Sequence, residues 1–340
     1  MKRKRSTWFS LVSVVLMVGL VTACSNAAGN PKATTEPNVQ KSESTENPVK
    51  KTITIAVVPK ALDNAIFLDA KEAAEKVGKE LGIRIEWAGP LKSDASEQVT
   101  VVEGLIEKKV DGILISVNDA DALKGVIDKA TDKGIKVATF DSDSANSKRL
   151  FYAGTDNYGV GKQSAEFMKT LLPNGGKVAV LTGILGAPNL EQRIVGFKDG
   201  VKGSNIEVLP VQTGEDDVQK SVEVVNQFTA ANPQLAGWFF DGGWPYFADP
   251  SALGEVKKFV DKGGKIVSID TFYPMMKFVQ LGMVDKLIGQ DYTKMGDVGV
   301  RTLYKAIQGE TITEKNMNTG SEVVDKNNVE EVLKTKKPWK

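Results

Sequence analysis

Residues 53–58 form a near-continuous apolar run, the pattern of a strand covered on both faces of a parallel sheet. Behind it, Ala65, Leu68, Ala73, Val77 and Leu81 fall at helical spacing and stop at Gly82, which predicts a helix over 65–81. Residues 83–87 read as the next strand. The alternation continues with helix 96–109, strand 112–117, helix 119–133 and strands 135–139 and 150–153. A second series follows Gly154: helix 158–172, strand 178–182, helix 190–201, strand 207–212, helix 218–231, strand 236–240 and helix 251–262. Strand 265–269, a short helix 275–281, strand 287–290 and helix 295–308 complete it. Strand after helix after strand demands parallel, doubly wound sheets, and two such series predict two similar α/β domains. The matching helix stops Lys133-Gly134 and Lys262-Gly263 fit an ancient duplication. Phe239 and Phe240, inside a strand, are expected in the core.

The beginning of the chain breaks this pattern. Lys2, Arg3, Lys4 and Arg5 precede an apolar stretch from Trp8 to Val21, the order of a secretory signal. The stretch is shorter than the roughly 20 residues of a spanning helix. It ends in Leu20-Val21-Thr22-Ala23-Cys24, which resembles the lipobox of bacterial lipoproteins, where the signal is cut before the cysteine and the cysteine is acylated. Cys24 is then a lipid anchor and residues 1–23 are removed; a plain signal peptide that happens to contain a cysteine is the alternative. Residues 24–51, with three prolines, no aromatics and few apolar positions, read as a flexible tether.

Composition removes whole classes of chemistry. With no histidine among 340 residues there is no Ser-His-Asp or Cys-His couple and no imidazole-bound zinc. One cysteine allows no intrachain disulfide and no thiolate cluster. Lys plus Arg number 44 against 43 Asp plus Glu, spread along the chain, so no basic stripe offers itself to a nucleic acid. Removal of residues 1–23 takes away four positive charges and turns the balance of +1 into −3. No GxGxxG follows a strand, and the pairs Gly161-Lys162, Gly176-Lys177 and Gly264-Lys265 lack the earlier glycine of a phosphate loop, so no nucleotide cofactor is implied. Asp141-Ser-Asp143 opens like a calcium loop but has Asn146 where that loop needs glycine, and no metal site is expected.

In open α/β sheets a ligand sits beyond the carboxyl ends of the strands. Those positions hold Asp63 and Asn64, Ser116 and Asn118, Asp141 with Ser142 and Asp143, Asp241, Trp244, Asp270 and Gln290. Each Asp or Asn among them, taken alone, also reads as a helix N-cap. Together with Phe67, Trp244, Phe272 and Tyr273 close by, they fit a polyol: carboxylates and amides pair with vicinal hydroxyls, and an aromatic face packs on a sugar ring.

From about Thr52 to Lys326 the chain resembles the ribose/galactose-type, or type I, substrate-binding proteins of bacterial ABC sugar importers. The pieces that carry the resemblance are Lys51-Thr-Ile-Thr-Ile-Ala-Val-Val-Pro59 followed by Asn64-Ala-Ile-Phe67, Val110-Asp-Gly-Ile-Leu-Ile-Ser116, Val137-Ala-Thr-Phe-Asp141, Arg193-Ile-Val-Gly-Phe197, Ile266-Val-Ser-Ile-Asp270 and Leu287-Ile-Gly-Gln290. It implies two lobes, 52–154 plus 291–318 and 155–290 plus 319–340, joined by three crossovers and closing on a sugar. It assigns hydroxyl binding to Asn64, Phe67, Ser116 or Asn118, Asp141, Asn189, Arg193, Asp270 and Gln290, no catalytic residue, and a permease with its ATPase as partners of an extracytoplasmic, lipid-anchored monomer. A ligand-sensing lipoprotein and an exported hydrolase are the rival readings. Ribose binders have Asp-Arg where this chain has Asp141-Ser142, and Asn-Asp where it has Gly242-Gly243 before Trp244; Glu191 stands near a position often basic. One positive group fewer beside several carboxylates tilts the expected ligand toward a neutral or amino-bearing polyol.

Overall fold

The computed structural model describes residues 51–336 and 338, so the basic block, the apolar run and Cys24 lie outside the described residues. β1 (Thr54–Val58) leads through a 3-10 turn at Ala65–Phe67 into α1 (Leu68–Leu81), then β2 (Arg84–Trp87), α2 (Ala95–Glu107), β3 (Gly112–Ile115), α3 (Ala120–Asp132), β4 (Lys136–Phe140) and β5 (Tyr152–Gly154). The single helix expected over 65–81 is thus two pieces. Asn64 caps the turn, its side chain accepting from the Ile66 amide, and α1 stops where Gly82 turns left-handed at φ 65°.

The second series runs α4 (Asn157–Leu171), β6 (Gly176–Thr182), α5 (Pro188–Gly200), β7 (Ile206–Val208), β8 (Gln212–Thr213), α6 (Val218–Ala231), β9 (Leu235–Phe240), α7 (Gly254–Asp261), β10 (Lys265–Ile269), α8 (Tyr273–Gln280), β11 (Lys286–Gln290) and α9 (Tyr292–Ile307). The strand expected over 207–212 is broken between β7 and β8 around Pro210, which has no amide to give a ladder. The helix expected from 251 starts at Gly254, after a 3-10 turn beginning at Pro250. Past α9 the pattern predicted nothing, yet β12 (Asn316–Asn318), β13 (Ser321–Val324) and α10 (Val329–Leu333) follow.

Two sheets result. The first has the order β12-β5-β4-β3-β1-β2 and the second β13-β11-β10-β9-β6-β7, with β8 also on β6. Every pair is parallel except β13 on β11. The chain therefore passes from one sheet to the other three times, after β5, β11 and β12. The two strand orders match position for position, so the ends of β4 and β10 are equivalent places in two α/β domains. Strands such as β3 are buried at every residue, as covering helices on both faces require. Phe239 and Phe240 are fully buried.

Helix α5 shows how packing sets the site. Phe197 stacks on Phe239 at 4.5 Å and 11°, and burying such a ring contributes about 2–3 kcal/mol. On α4, Gly161 lets the backbones meet: a Cβ there would lie 2.2 Å from the Arg193 carbonyl oxygen. Gly161→Ala is expected to cost about 1–3 kcal/mol in urea unfolding despite alanine's better helix propensity. A loss below about 0.5 kcal/mol would mean that the helices separate freely.

Candidate ligand-binding site

The registers align the carboxyl ends of the strands: Val58 faces Ile115, Ile115 faces Thr139 and Phe140 faces Ala153. Lys60, Ser116 and Asp141 consequently sit side by side. In the second domain the ends of β9, β10 and β11 deliver Gly243, Asp270 and Gln290, and the first turns of α5 deliver Asn189 and Arg193, four residues apart on one face. Asp141 and Asp270 both hold positive φ, 57° and 78°, at their equivalent strand ends. Such a conformation is strained for a side-chain-bearing residue, tolerated best by Asp, Asn and Gly, and concentrates at functional sites.

The two domains meet around a cavity lined by Lys60, Asn64, Phe67, Asp141, Asn189, Arg193, Trp244, Asp270, Gln290 and Tyr292, with Asp216 and Phe247 at its side. Its side chains bind one another. Ser116 donates to Asp141 Oδ2 at 2.6 Å, while the Asn189 amide and the Tyr292 hydroxyl donate to Oδ1, each at 3.2 Å. Lys60 Nζ donates to Asn189 Oδ1 at 2.7 Å. Gln290 gives Nε2 to Asp270 Oδ1 at 2.9 Å and accepts Arg193 Nη2 at 3.0 Å; the Gly243 amide donates to Asp270 Oδ2 at 3.2 Å. Arg193 also donates Nε to Asn157 at 2.8 Å and Nη1 to the Asp241 carbonyl at 2.8 Å. Donors and acceptors alternate around the ring, which is the chemistry a hydroxyl-rich molecule needs. The cavity measures about 20 Å³, nearer one water than a sugar ring, so entry of a sugar requires the walls to part. A larger groove of about 650 Å³ runs along the exposed side of α1 and shares only Gln290 with this cavity. The buried polar side chains converge in the smaller one.

A family model described as a periplasmic binding protein domain matches residues 55–311. The chain belongs to this family, the type I periplasmic sugar-binding proteins of ABC importers. This periplasmic binding protein is 27% identical over 270 residues to the D-ribose/D-allose-binding protein of Pseudomonas aeruginosa, covering 76% of this chain and 83% of that one. It is 28% identical over 260 residues to the ribose import binding protein RbsB of Bacillus subtilis, covering 76% and 79%. Among solved structures, an ABC transporter solute-binding protein from Burkholderia graminis in complex with D-arabinose aligns at 35% identity with a TM-score of 0.77, covering 81% of this chain and 96% of that one. The family implies an extracytoplasmic location, and among the described residues no helix is long and apolar enough to cross a membrane.

Of the eleven sequence-derived site residues, Asn64, Phe67, Asp141, Asn189, Arg193, Trp244, Asp270 and Gln290 line the cavity and three do not. Asp63 is exposed and borders an outer groove. Ser116 stands behind Asp141 and orients its carboxylate. Asn118 donates to the carbonyls of Lys60 and Asp94, holding loops in place instead of facing the cavity. Among the expected aromatics, Phe272 packs on Tyr292 at 5.7 Å and Tyr273 is partly exposed. Glu191 is exposed and accepts from the Gly186 amide, away from the ring. The Gly242-Gly243-Trp244 departure is one coupled change: a Cβ on Gly242 would lie 2.6 Å from the Trp244 ring, so glycine makes room for the indole.

Sequence reasoning missed Lys60 and Tyr292. Lys60 lies two residues past β1 at the very edge searched, and it supplies the positive group thought missing, which withdraws the argument for an amino-bearing ligand. Burial lowers the Lys60 ammonium pKa against the pull of Asp141 and Asp216. Burial also pushes the Asp270 carboxyl above its ordinary range and Asp241 well above it, with Arg193 opposing both. For Arg193, burial works against the charge, but Asp241, Asp270 and Tyr292 outweigh it and hold its pKa above the usual value.

Proposed function

We propose that this periplasmic binding protein captures a neutral sugar of the pentose or hexose class between its domains and hands it to an ABC permease driven by its ATPase. The observation that carries the reading is the ring of buried donors and acceptors drawn from both domains, with Asp141 and Asp270 both lining the cavity from equivalent strand ends. Ribose, allose and D-arabinose, named for its relatives, support a ligand of this class. The lobes are 52–154 with 291–318 and 155–290 with 319–340. They hinge at the three passages between the sheets, and a sugar touching both favours the closed form by its differential affinity. The chain works as a monomer by binding, not by turnover. It is held at the membrane by acylated Cys24 through the tether of residues 24–51, so Cys24→Ser is expected to move it from the membrane to the released fraction.

Thermal shift across pentoses, hexoses, polyols, amino sugars and aldonates tests the reading. A sugar at a hundred times its Kd adds about 2.7 kcal/mol, a rise of several degrees. If only charged members of the panel raise the melting temperature, the neutral-sugar reading is wrong.

A further inference from the structure

We infer that Ser93 and Asp216 latch the two domains together at the rim of the cleft and slow the release of every sugar by the same factor. The inference rests on the sugar reading above. Ser93 belongs to the loop between β2 and α2 of the first domain, and Asp216 to the loop between β8 and α6 of the second. The Ser93 hydroxyl donates to Asp216 Oδ2 at 2.9 Å, although 123 positions separate the two residues in the chain. Asp216 stands at the side of the cavity, and Ser93 lies outside its lining. Ser93 thus bridges the domains from outside the space a sugar enters.

Both halves of the latch are anchored before they meet. Glu215 and Asp216 take φ values of 54° and 57° in succession, a conformation that side-chain-bearing residues hold only where the surroundings over-determine it. Here Asp216 Oδ1 accepts the Ile184 amide at 3.2 Å, and the Thr213 hydroxyl donates to the Gly183 carbonyl while accepting the Glu215 amide at 3.2 Å. A Cβ on Gly183 would lie 1.9 Å from Asp216 Oδ1, so glycine makes room for the carboxylate. One oxygen is therefore committed to its own domain and the other is turned to the first. On that side Ser93 directly precedes Asp94, which caps α2 by accepting the Glu97 amide at 2.8 Å. The neighbouring loop is tied down by the Leu62 amide on the Pro90 carbonyl at 2.9 Å and the Asp63 amide on the Leu91 carbonyl at 3.2 Å. Partners held this way lose little freedom when their bond forms.

A bond made only with the domains together favours the closed form by its own differential free energy, whichever sugar fills the cavity. Opening has to break it before a sugar leaves, whereas a sugar meeting the open form does not encounter it. Its effect accordingly falls on dissociation.

Stopped-flow tryptophan fluorescence with the sugars of the thermal-shift panel, D-ribose, D-allose and D-arabinose first, tests the latch; Trp244 in the cavity wall supplies a signal. Ser93→Ala is expected to speed release of each bound sugar about tenfold and to leave association within about twofold of wild type. Ser93→Thr, which keeps the hydroxyl, is expected to release at the wild-type rate. Asp216→Gly keeps the left-handed backbone without strain and removes the carboxylate; in that background Ser93→Ala is expected to change release by less than about twofold. Unchanged release in Ser93→Ala, a factor that differs more than about threefold between sugars, or an undiminished effect in the Asp216→Gly background each overturns the latch and leaves the sugar reading intact. A wild-type chain that binds no sugar of the panel overturns the reading on which the latch rests.

Discussion

Asp141→Ala and Asp270→Ala are each expected to abolish the sugar-dependent thermal shift while the chain stays folded. Each carboxylate offers two oxygens at the centre of the ring, and hydrogen bonds to a charged group contribute about 1.5–3 kcal/mol apiece, so losing a pair weakens binding several hundredfold or more. Among the described residues Asp141 Oδ2 accepts from Ser116 alone, which leaves it a lone pair for the ligand. Asp270 anchors Gln290 and the Gly243 amide, so its removal also loosens the wall beside Trp244. Alanine at φ values of 57° and 78° adds about 1 kcal/mol of backbone cost, which Asp141→Asn and Asp270→Asn avoid. The asparagine variants therefore separate lost charge from lost backbone fit. Wild-type affinity in both alanine variants would remove these residues from the site.

The second large effect falls on stability. Arg193 is 2% exposed and joins α5 to the carbonyl of Asp241, the amide of Asn157 and the side chain of Gln290. Its charge also lies 3.8 Å from Asp241 Oδ1, an oxygen with no hydrogen-bond partner among the described residues. Arg193→Met fills much of the volume but leaves two buried carboxyls, Asp241 and Asp270, without their compensating cation. Breaking a buried pair in this way costs about 3–5 kcal/mol. Urea unfolding of the sugar-free variant measures it directly, and a loss below 1 kcal/mol would show that the carboxyls have other means of neutralisation.

The alternating series was legible because buried parallel strands are apolar throughout and the helices between them keep their period, as α6 illustrates by matching its expected bounds of 218–231. β12 and β13 were not. Asn316-Met317-Asn318 has no apolar run, since an edge strand is made by its partner, here β5, and not by its own side chains. The site divided along similar lines. Asp141 and Asp270 stood out because aspartate beyond a strand end is a strong local signal. Lys60 carries no such signal: a lysine after a strand is ordinarily solvated, and its partner Asn189 comes from the opposite domain, far away in sequence. Ser116 and Asn118 lay at the right edge, yet their neighbours Asp141 and Lys60 stand between them and the cavity.

The order of strands has a bearing on how the molecule comes into being. The first sheet ends in β12, and α9 covers its face by packing on α1, β3 and β4, although both elements come after the whole run from α4 to β11. The second sheet waits for β13 in the same way. A chain emerging amino end first can therefore complete the first sheet only at residue 318 and the second only at residue 324. Both sheets thus close with short segments that lie next to one another at the carboxyl end, so a truncation before residue 316 strips an edge strand from each.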